Sequence, residues 1–397
     1  MSNDPLIISA LQSSSYGGAS RVSAEVDGAE LWFESADVAL RPSTEAFVSA
    51  LLIAAVAQER QLVVADPIAG DYAANLPRVL DLTARWWNYP RLLPKIDSSA
   101  AASPQPTSGK SAEARAGAAL CFSGGVDSFY TLLAAGRSVD ALVFVHGFDV
   151  KLDDGERAAV VQDHLRMVAA EVGARAVFVR TNLRAHPAFR TVSWLRTFGS
   201  ALAAIGHLLS DSWATLLVSS SYSLAEPYPA GSHWELDPLW SGAGLAVEHV
   251  GAECNRTEKL AALKDHPLMH RYLRVCWENR SDRLNCSRCE KCVRNEVVLA
   301  ALGALDSFQV FEPSATLSER VDSVDHIHNE RLFTRYESAL ALGLPYDLDA
   351  AVRRLLARSR RALFRRRLGD ARWYAAAVAR RILRLGRTDA SVGVHAP

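Results

Sequence analysis

Residues 118–133 read AALCFSGGVDSFYTLL, and this stretch decides the fold of the central part of the chain. The apolar residues 119–122 predict a short buried strand, and a helix is predicted from about Ser128. Between them, Ser123-Gly124-Gly125 predicts a tight turn, because glycine tolerates backbone conformations that other residues avoid. A glycine-rich turn that leads into a helix N-terminus suits an anion. The stretch therefore predicts a phosphate-binding loop.

The polar residues of this loop have predicted roles. The hydroxyls of Ser123 and Ser128 can donate hydrogen bonds to phosphate oxygens, whereas Asp127 either binds the metal that accompanies the phosphates or orients the loop. The loop lacks the lysine of the GxxxxGK[ST] motif, which excludes the phosphate loop of kinases and GTPases.

Strand and helix patterns alternate after this loop. Buried strands are predicted at 141–145, 174–180 and 215–219, with helices at 155–172 and 194–209. Such alternation predicts an α/β fold with a doubly wound parallel sheet. Ligands of such sheets bind beyond the carboxyl ends of the strands, which is where the predicted phosphate loop lies.

The six residues SGGVDS, 123–128, in a strand–turn–helix context resemble the signature of the PP-loop family, the N-type ATP pyrophosphatases. The resemblance implies an adenine nucleotide α-hydrolase-like fold and the use of ATP with magnesium (Mg2+). Members split ATP between its α and β phosphates and transfer AMP to a carboxylate or carbonyl-type oxygen. A nitrogen or sulfur nucleophile then displaces AMP. The resemblance implies catalytic roles for Ser123, Asp127 and Ser128, and nucleotide contacts from His146 and Arg196.

Four cysteines have the spacing of a metal site. Cys286, Cys289 and Cys292 form a CxxCxxC motif, and Cys276 lies ten residues before it. Four thiolates satisfy a tetrahedral zinc ion (Zn2+) with no open position, as structural sites require. An iron–sulfur cluster and redox or persulfide chemistry are the alternatives.

The order of these motifs is similar to that of the 7-cyano-7-deazaguanine synthases. The loop is followed by Arg256-Thr257-Glu258-Lys259 and then by the cysteines, so the resemblance covers about 118–301. Those enzymes activate a small-molecule carboxylate with ATP and convert it, using ammonia, through an amide to a nitrile. The resemblance implies a ligase that forms C–N bonds, a homodimer, and a nucleotide site. Its residues are Ser123, Gly124, Gly125, Val126, Asp127, Ser128, His146, Arg196 and Lys259.

One segment departs from that family. The substrate-side loop 219–240 is longer and more aromatic than a deazaguanine pocket predicts. Its Tyr222, His233, Trp234 and Glu235 could shape a different acceptor site. No glutaminase motif accompanies it, so free ammonia or a separate nitrogen donor is expected.

Composition sets the broad class. The chain has 397 residues, 49% of them hydrophobic, and 44 basic residues balance 44 acidic ones, which predicts a globular multidomain protein. Neither an apolar run of about 18 residues nor a signal peptide is visible, so a cytoplasmic protein without a transmembrane segment is expected.

Five segments are predicted along the chain. They are a small N-terminal α/β domain at 1–97, a flexible linker at 98–117, a PP-loop ATP-binding domain at 118–255, a four-cysteine zinc-binding region at 256–305 and a helical, arginine-rich C-terminal region at 306–397. Within the first, a hairpin turns near Asp27-Gly28 and Ser43 caps an apolar helix that ends near Gln58.

Two features leave alternatives open. The arginines of 350–385 form a solvated helical face, or they contact RNA, an anionic membrane or an acidic partner. Besides amine attack on an adenylate, the motifs fit a tRNA-modifying sulfurtransferase or a non-catalytic nucleotide-binding protein. The acceptor, the donor and the role of 1–97 are not specified by these motifs.

Overall fold

The computed structural model describes residues 4–97, 117–279 and 283–388, with the side chains of Tyr16 and of 369–388 excepted. The predicted linker at 98–117 lies outside the described residues, apart from Gly117. The chain forms two compact units. One comprises Met1–Cys286 with Ser307–Val310, and the other comprises Ser287–Asp306 with Phe311–Pro397.

The first unit is built on one ten-stranded sheet. Its strands are β1 (Leu6–Tyr16), β2 (Ala19–Val26), β3 (Ala29–Ser35), β4 (Leu62–Val64), β5 (Lys95–Ile96), β6 (Ala118–Cys121), β7 (Ala141–His146), β8 (Arg175–Thr181), β9 (Thr215–Ser219) and β10 (Ala246–Val250). Their order is β10-β9-β6-β7-β8-β3-β2-β1-β4-β5. Six of the nine neighbouring pairs are parallel, and those among β8, β3, β2 and β1 are antiparallel.

In the described part of this unit, eight α-helices accompany the sheet. They are α1 (Thr44–Ala57), α2 (Gly70–Ala73), α3 (Leu76–Trp87), α4 (Val126–Leu133), α5 (Gly155–Val172), α6 (Trp194–Leu209), α7 (Arg256–Leu263) and α8 (Pro267–Tyr272). The predicted alternation of strand and helix after residue 118 is confirmed, and so is the α/β class. Strand β7 is buried along its whole length, as a central parallel strand requires.

The strand order reverses at β6. The chain steps from β6 to β7 and β8 on one side, and then crosses through α6 to β9 and β10 on the other side. Such a reversal leaves a crevice beyond the carboxyl ends of the two strands where the chain divides. Here these strands are β6 and β9.

Residues before 97 extend the same sheet. Strand β3 pairs antiparallel with β8, where Phe33 lies opposite Thr181. The hairpin predicted near Asp27-Gly28 is present, and both turn residues have positive φ, as a type I′ turn requires. Strand β1 was not predicted, because its second half is a run of serines. The contacts therefore group 1–97 with the central strands, whereas the sequence suggested a separate domain.

Helix α1 lies inside the first unit. Every residue from Thr44 to Val56 is buried, and the predicted cap is present, since the Ser43 hydroxyl accepts a hydrogen bond from the Ala46 amide. The helix packs against α6. Its alanines allow this close approach, and its leucines, isoleucine and phenylalanine supply apolar area.

A buried histidine on α6 makes the stability of this unit depend on pH. The His207 ring is fully buried, with Nε2 2.9 Å from the Trp240 carbonyl oxygen. Burial lowers the pKa of His207 from 6.5 to about 4. Between these values the unfolded chain binds a proton that the folded chain does not, so stability rises with pH by at most about 3 kcal/mol.

We expect His207→Asn to flatten the melting temperature against pH between pH 4 and 6.5. His326→Asn, at a partly exposed site of the second unit, should keep the wild-type slope. Identical slopes for wild type and His207→Asn would contradict the assignment.

The second unit is helical. It contains α9 (Glu290–Ala301), α10 (Leu317–Ser323), α11 (Phe333–Leu342) and α12 (Tyr346–Thr388). A buried ion pair joins Arg320 of α10 to Glu296 of α9. Helix α12 confirms the helical prediction for 350–385.

Arginines of α12 contact carboxylates on neighbouring elements of the second unit. Arg354 lies 2.5 Å from Asp322, and Arg360 lies 2.7 Å from Glu337. These pairs offset part of the positive charge of the helix. Among the described residues, no helix is long and apolar enough to cross a membrane.

Candidate functional site

The SGG turn lies at the carboxyl end of β6. Pairing with β7 continues for one residue past the strand, since the Phe122 amide donates to the Val143 carbonyl oxygen at 2.8 Å. Gly124 has φ +75°, a conformation in which a side chain would be strained. The next residue, Gly125, is the N-cap of α4 and offers no side-chain cap to the helix. The first-turn amides of α4 therefore keep their capacity to bind an anion.

Asp127 connects the loop to a second helix. Its carboxylate forms ion pairs with Arg256 and, at 3.5 Å, with Lys259, both of α7. Helix α7 is fixed at its start by a reciprocal capping box between Asn255 and Glu258. Of the two roles predicted for Asp127, these contacts supply the orienting one.

Lys259 is a buried cation beside the loop. Its side chain is 1% exposed, and Nζ donates to the Ser220 carbonyl oxygen at 2.6 Å. Burial lowers the pKa of Lys259, and the Asp127 carboxylate opposes that shift. The ammonium group thus joins α7, the loop and the carboxyl end of β9.

The hydroxyl groups around the loop differ in their contacts. Ser128 is buried and donates to the Gly125 carbonyl oxygen at 3.0 Å, so it holds the turn. Ser123 is partly buried in the turn itself. The Thr257 hydroxyl of α7 is buried and has no hydrogen-bond partner among the described residues. Thr257 is a binding candidate that sequence reasoning did not select.

The other two predicted nucleotide contacts, His146 and Arg196, have hydrogen-bond partners outside the loop. His146 ends β7, and its Nε2 donates to the Lys151 carbonyl oxygen at 2.8 Å, while burial lowers its pKa. Arg196, in the first turn of α6, donates to the Tyr89 hydroxyl at 2.7 Å. It also lies over the Trp87 ring, 5.7 Å from its centroid. Among the described contacts, neither residue hydrogen-bonds to the SGG turn.

The aromatic loop 219–240 packs against α3. Arg85 pairs with Glu235 at 2.9 Å, the Trp86 ring lies 4.6 Å from that of His233, and the Trp87 indole donates to the Pro229 carbonyl oxygen at 3.0 Å. Within the loop, His233 and Trp234 stack with ring centroids 3.8 Å apart. Helix α3, from the N-terminal part of the chain, therefore packs against the loop that was predicted to shape the acceptor site.

A carboxylate and an imidazole at the end of this loop were missed by sequence reasoning. Asp237 and His249 form a pair with 2.7 Å between Oδ2 and Nδ1, and both side chains are buried. Twelve residues separate them, and no motif marks either one. The sequence shows polar residues among apolar ones here, but it does not indicate which of them pair with each other.

Cys276, Cys286, Cys289 and Cys292 are brought together. All four are buried, and their Sγ atoms lie within 4.8 Å of one another, so they could hold a metal ion. A tetrahedron with metal–sulfur bonds of about 2.3 Å has edges of about 3.8 Å, which is close to this spacing. Cys121 and Cys254 are not part of the cluster and are partly exposed.

The backbone around the cysteines is held by specific contacts. The Asn285 side chain accepts from the Val275 and Cys276 amides at 2.8 and 3.1 Å and donates to the Leu273 carbonyl oxygen at 2.7 Å. Cys289 is the N-cap of α9, and its sulfur accepts from the Cys292 amide at 3.5 Å. A helix N-terminus favours the thiolate form that metals bind.

These contacts define two features, an uncapped glycine-rich turn at the reversal of the strand order and a buried four-cysteine cluster. Comparisons of this chain with protein-family models, with curated proteins and with solved structures found no match.

Proposed function

We propose that this protein is an ATP-dependent enzyme that adenylates a carboxylate-like acceptor for attack by ammonia or an amine, with release of AMP and pyrophosphate. The observation that carries the proposal is the uncapped, glycine-rich turn at the carboxyl end of β6, where the strand order reverses. A doubly wound fold of the PP-loop type puts its nucleotide at this place.

The residues around the turn fit a triphosphate. The amides of α4 and the buried hydroxyl of Thr257 are donors, and Arg256 and Lys259 supply positive charge. Together they stabilise the negative charge that develops on the leaving pyrophosphate, because donors held in fixed positions act on charge that forms during the reaction. Magnesium, when bound with ATP, neutralises further phosphate charge.

The residues of the loop then act by positioning. Asp127 holds Arg256 and Lys259 in place, and Ser128 holds the turn closed. Fixing the α-phosphorus near a bound carboxylate lowers the entropic part of the barrier. The acceptor in this proposal lies against the aromatic loop 219–240, which packs against α3 through Arg85–Glu235 and Trp86–His233.

We propose that the four-cysteine cluster holds zinc in a structural role. Four buried thiolates fill a tetrahedral site and leave no position for substrate. The sulfur-transfer alternative predicts an iron–sulfur cluster instead, so metal analysis separates the two reactions.

The proposed function is tested with purified, metal-analysed protein, ATP, magnesium, ammonium and a panel of carboxylates that includes 7-carboxy-7-deazaguanine. We expect AMP and pyrophosphate to form with one carboxylate and not without it. Formation of ADP and phosphate, or the absence of AMP with every carboxylate, would contradict the proposal. Binding of ATP without turnover would favour a nucleotide-binding protein.

A further inference from the structure

A buried carboxylate–imidazole pair lies at the same edge of the sheet as the SGG turn. Asp237 opens the 3₁₀ helix Asp237–Trp240, and its carboxylate accepts from Ser232 Oγ at 2.6 Å, from His249 Nδ1 at 2.7 Å and from the His233 amide at 3.3 Å. The side chains of Asp237 and His249 are 1% and 3% exposed. These three donors hold the Asp237 carboxylate in place.

This pairing leaves the second nitrogen of His249 as a base. Because Nδ1–H donates to Asp237, the neutral imidazole carries its lone pair on Nε2. That atom is buried and has no hydrogen-bond partner among the described residues. A buried nitrogen of this kind can accept a hydrogen bond from a ligand that presents an N–H or O–H group.

The sheet register places His249 near the proposed adenylation site. On β10, His249 lies opposite Val218 of β9, and Leu217 of β9 lies opposite Leu120 of β6. His249 and Cys121 are therefore level on strands that are two apart, roughly 10 Å across the sheet. Cys121 comes two residues before the SGG turn. An acceptor over β9 would lie between the turn and His249.

Three titratable groups of the described residues lie around His249. Asp237 contacts it directly, His233 belongs to the same loop as Asp237, and Cys121 of β6 is level with His249 two strands away. Burial, reinforced by the Asp237 carboxylate, raises the pKa of the Cys121 thiol to about 12, so this thiol stays protonated at neutral pH. The Nδ1 atom of His233 accepts from the Glu235 amide at 3.1 Å, which occupies its lone pair. The Trp234 ring lies 6.5 Å from that of His249 and contributes an apolar wall.

We propose that His249, held by Asp237, is the general base that removes a proton from the attacking amine in the second half-reaction. This inference rests on the proposed function. The amine nitrogen forms a bond to the acyl carbon of the adenylate, its proton passes to Nε2, and the bond from that carbon to the AMP oxygen breaks. The products are the amide, AMP and an imidazolium, which returns its proton to solvent.

The pair also distinguishes between nitrogen and sulfur nucleophiles. An amine that attacks an acyl group must lose a proton, whereas a persulfide attacks as an anion and needs no base. A buried histidine with an unshared Nε2 therefore suits an amine or ammonia. His249 thus supplies a base for the nucleophile, which the glycine-rich turn does not provide.

The test separates the two half-reactions of the holoenzyme in the variants His249→Gln and Asp237→Asn. With the carboxylate that supports AMP formation, we expect ammonia-dependent amide formation by His249→Gln to fall about 100-fold or more. Carboxylate-dependent exchange of labelled pyrophosphate into ATP should stay within about threefold of wild type, because this half-reaction precedes the base. Hydroxylamine, which is neutral at pH 7, should still trap the adenylate.

The pH profile is the readout that a merely structural role would not change. The acid limb of amide formation, present in wild type, should be lost in His249→Gln and displaced in Asp237→Asn. His326→Gln removes a partly exposed histidine paired with Asp325 at 2.7 Å and should change neither rate. Unchanged amide formation by His249→Gln would overturn the inference alone. Absence of pyrophosphate exchange in wild type would overturn the proposed function as well.

Discussion

Replacing Asp127 by asparagine is expected to lower the rate of AMP formation by about 100- to 1,000-fold. The substitution removes the carboxylate that holds Arg256 and Lys259 against the SGG turn, and it leaves two neighbouring cations without their shared anion. Donors that are no longer held in place stabilise a leaving pyrophosphate poorly, and the loss of one such donor has effects of this size. Steady-state assays of AMP release, with the carboxylate that supports activity, measure the change.

The same substitution should also move the pH dependence. The Asp127 carboxylate raises the pKa of Lys259 against the effect of burial, so its removal lowers that pKa further. The residual activity of Asp127→Asn should therefore decline at lower pH on the alkaline side than wild-type activity does. A pH profile of kcat/KM with each protein gives the comparison.

Asp163→Asn is the matched control for Asp127→Asn. Asp163 is an exposed carboxylate on α5 that pairs with Arg166 at 2.8 Å. Its replacement should leave both the rate and the pH profile unchanged, since exposed pairs of this kind contribute little. Wild-type activity in Asp127→Asn would contradict the role assigned to the Asp127 carboxylate in holding Arg256 and Lys259.

The part of the site that was predictable from sequence is local in the chain. The turn, the start of α4 and the three cysteines of 286–292 are each contained in about ten residues, and their chemistry follows from residue type and spacing. Backbone conformation, helix capping and metal ligation all act over such distances. Ser43 and the Asp27-Gly28 turn were predictable for the same reason.

The remainder of the site depends on pairings that are distant in sequence. The contacts of Arg85 with Glu235 and of Trp87 with the Pro229 carbonyl join residues 150 and 142 positions apart. The pairing of β3 with β8 joins residues about as distant, and it determines why 1–97 borders the aromatic loop. Neither periodicity nor composition specifies such partners, because many apolar and charged residues would satisfy them equally well.

Replacing Cys289 by serine is expected to remove the metal and to destabilise the protein strongly. Cys289 is a member of the buried cluster and the N-cap of α9, so its sulfur has a role in both the site and the helix start. Structural zinc sites contribute about 10–16 kcal/mol of apparent binding free energy, and the loss of one of four ligands forfeits a large part of it. We expect less than 0.2 zinc per chain, against about one in wild type, and a melting temperature at least about 10 °C lower.

Cys254→Ser is the control for this change, because Cys254 lies outside the cluster. It should retain about one zinc per chain, as measured by plasma emission spectrometry after dialysis. Chelation of the wild-type metal should reproduce the lower melting temperature of Cys289→Ser, and added zinc should restore it. Iron with inorganic sulfide in the wild-type protein would instead contradict the structural zinc and favour the sulfur-transfer reaction, which needs no base at His249. The metal content of the wild-type protein and the rate of amide formation by His249→Gln are therefore two independent tests of a nitrogen nucleophile.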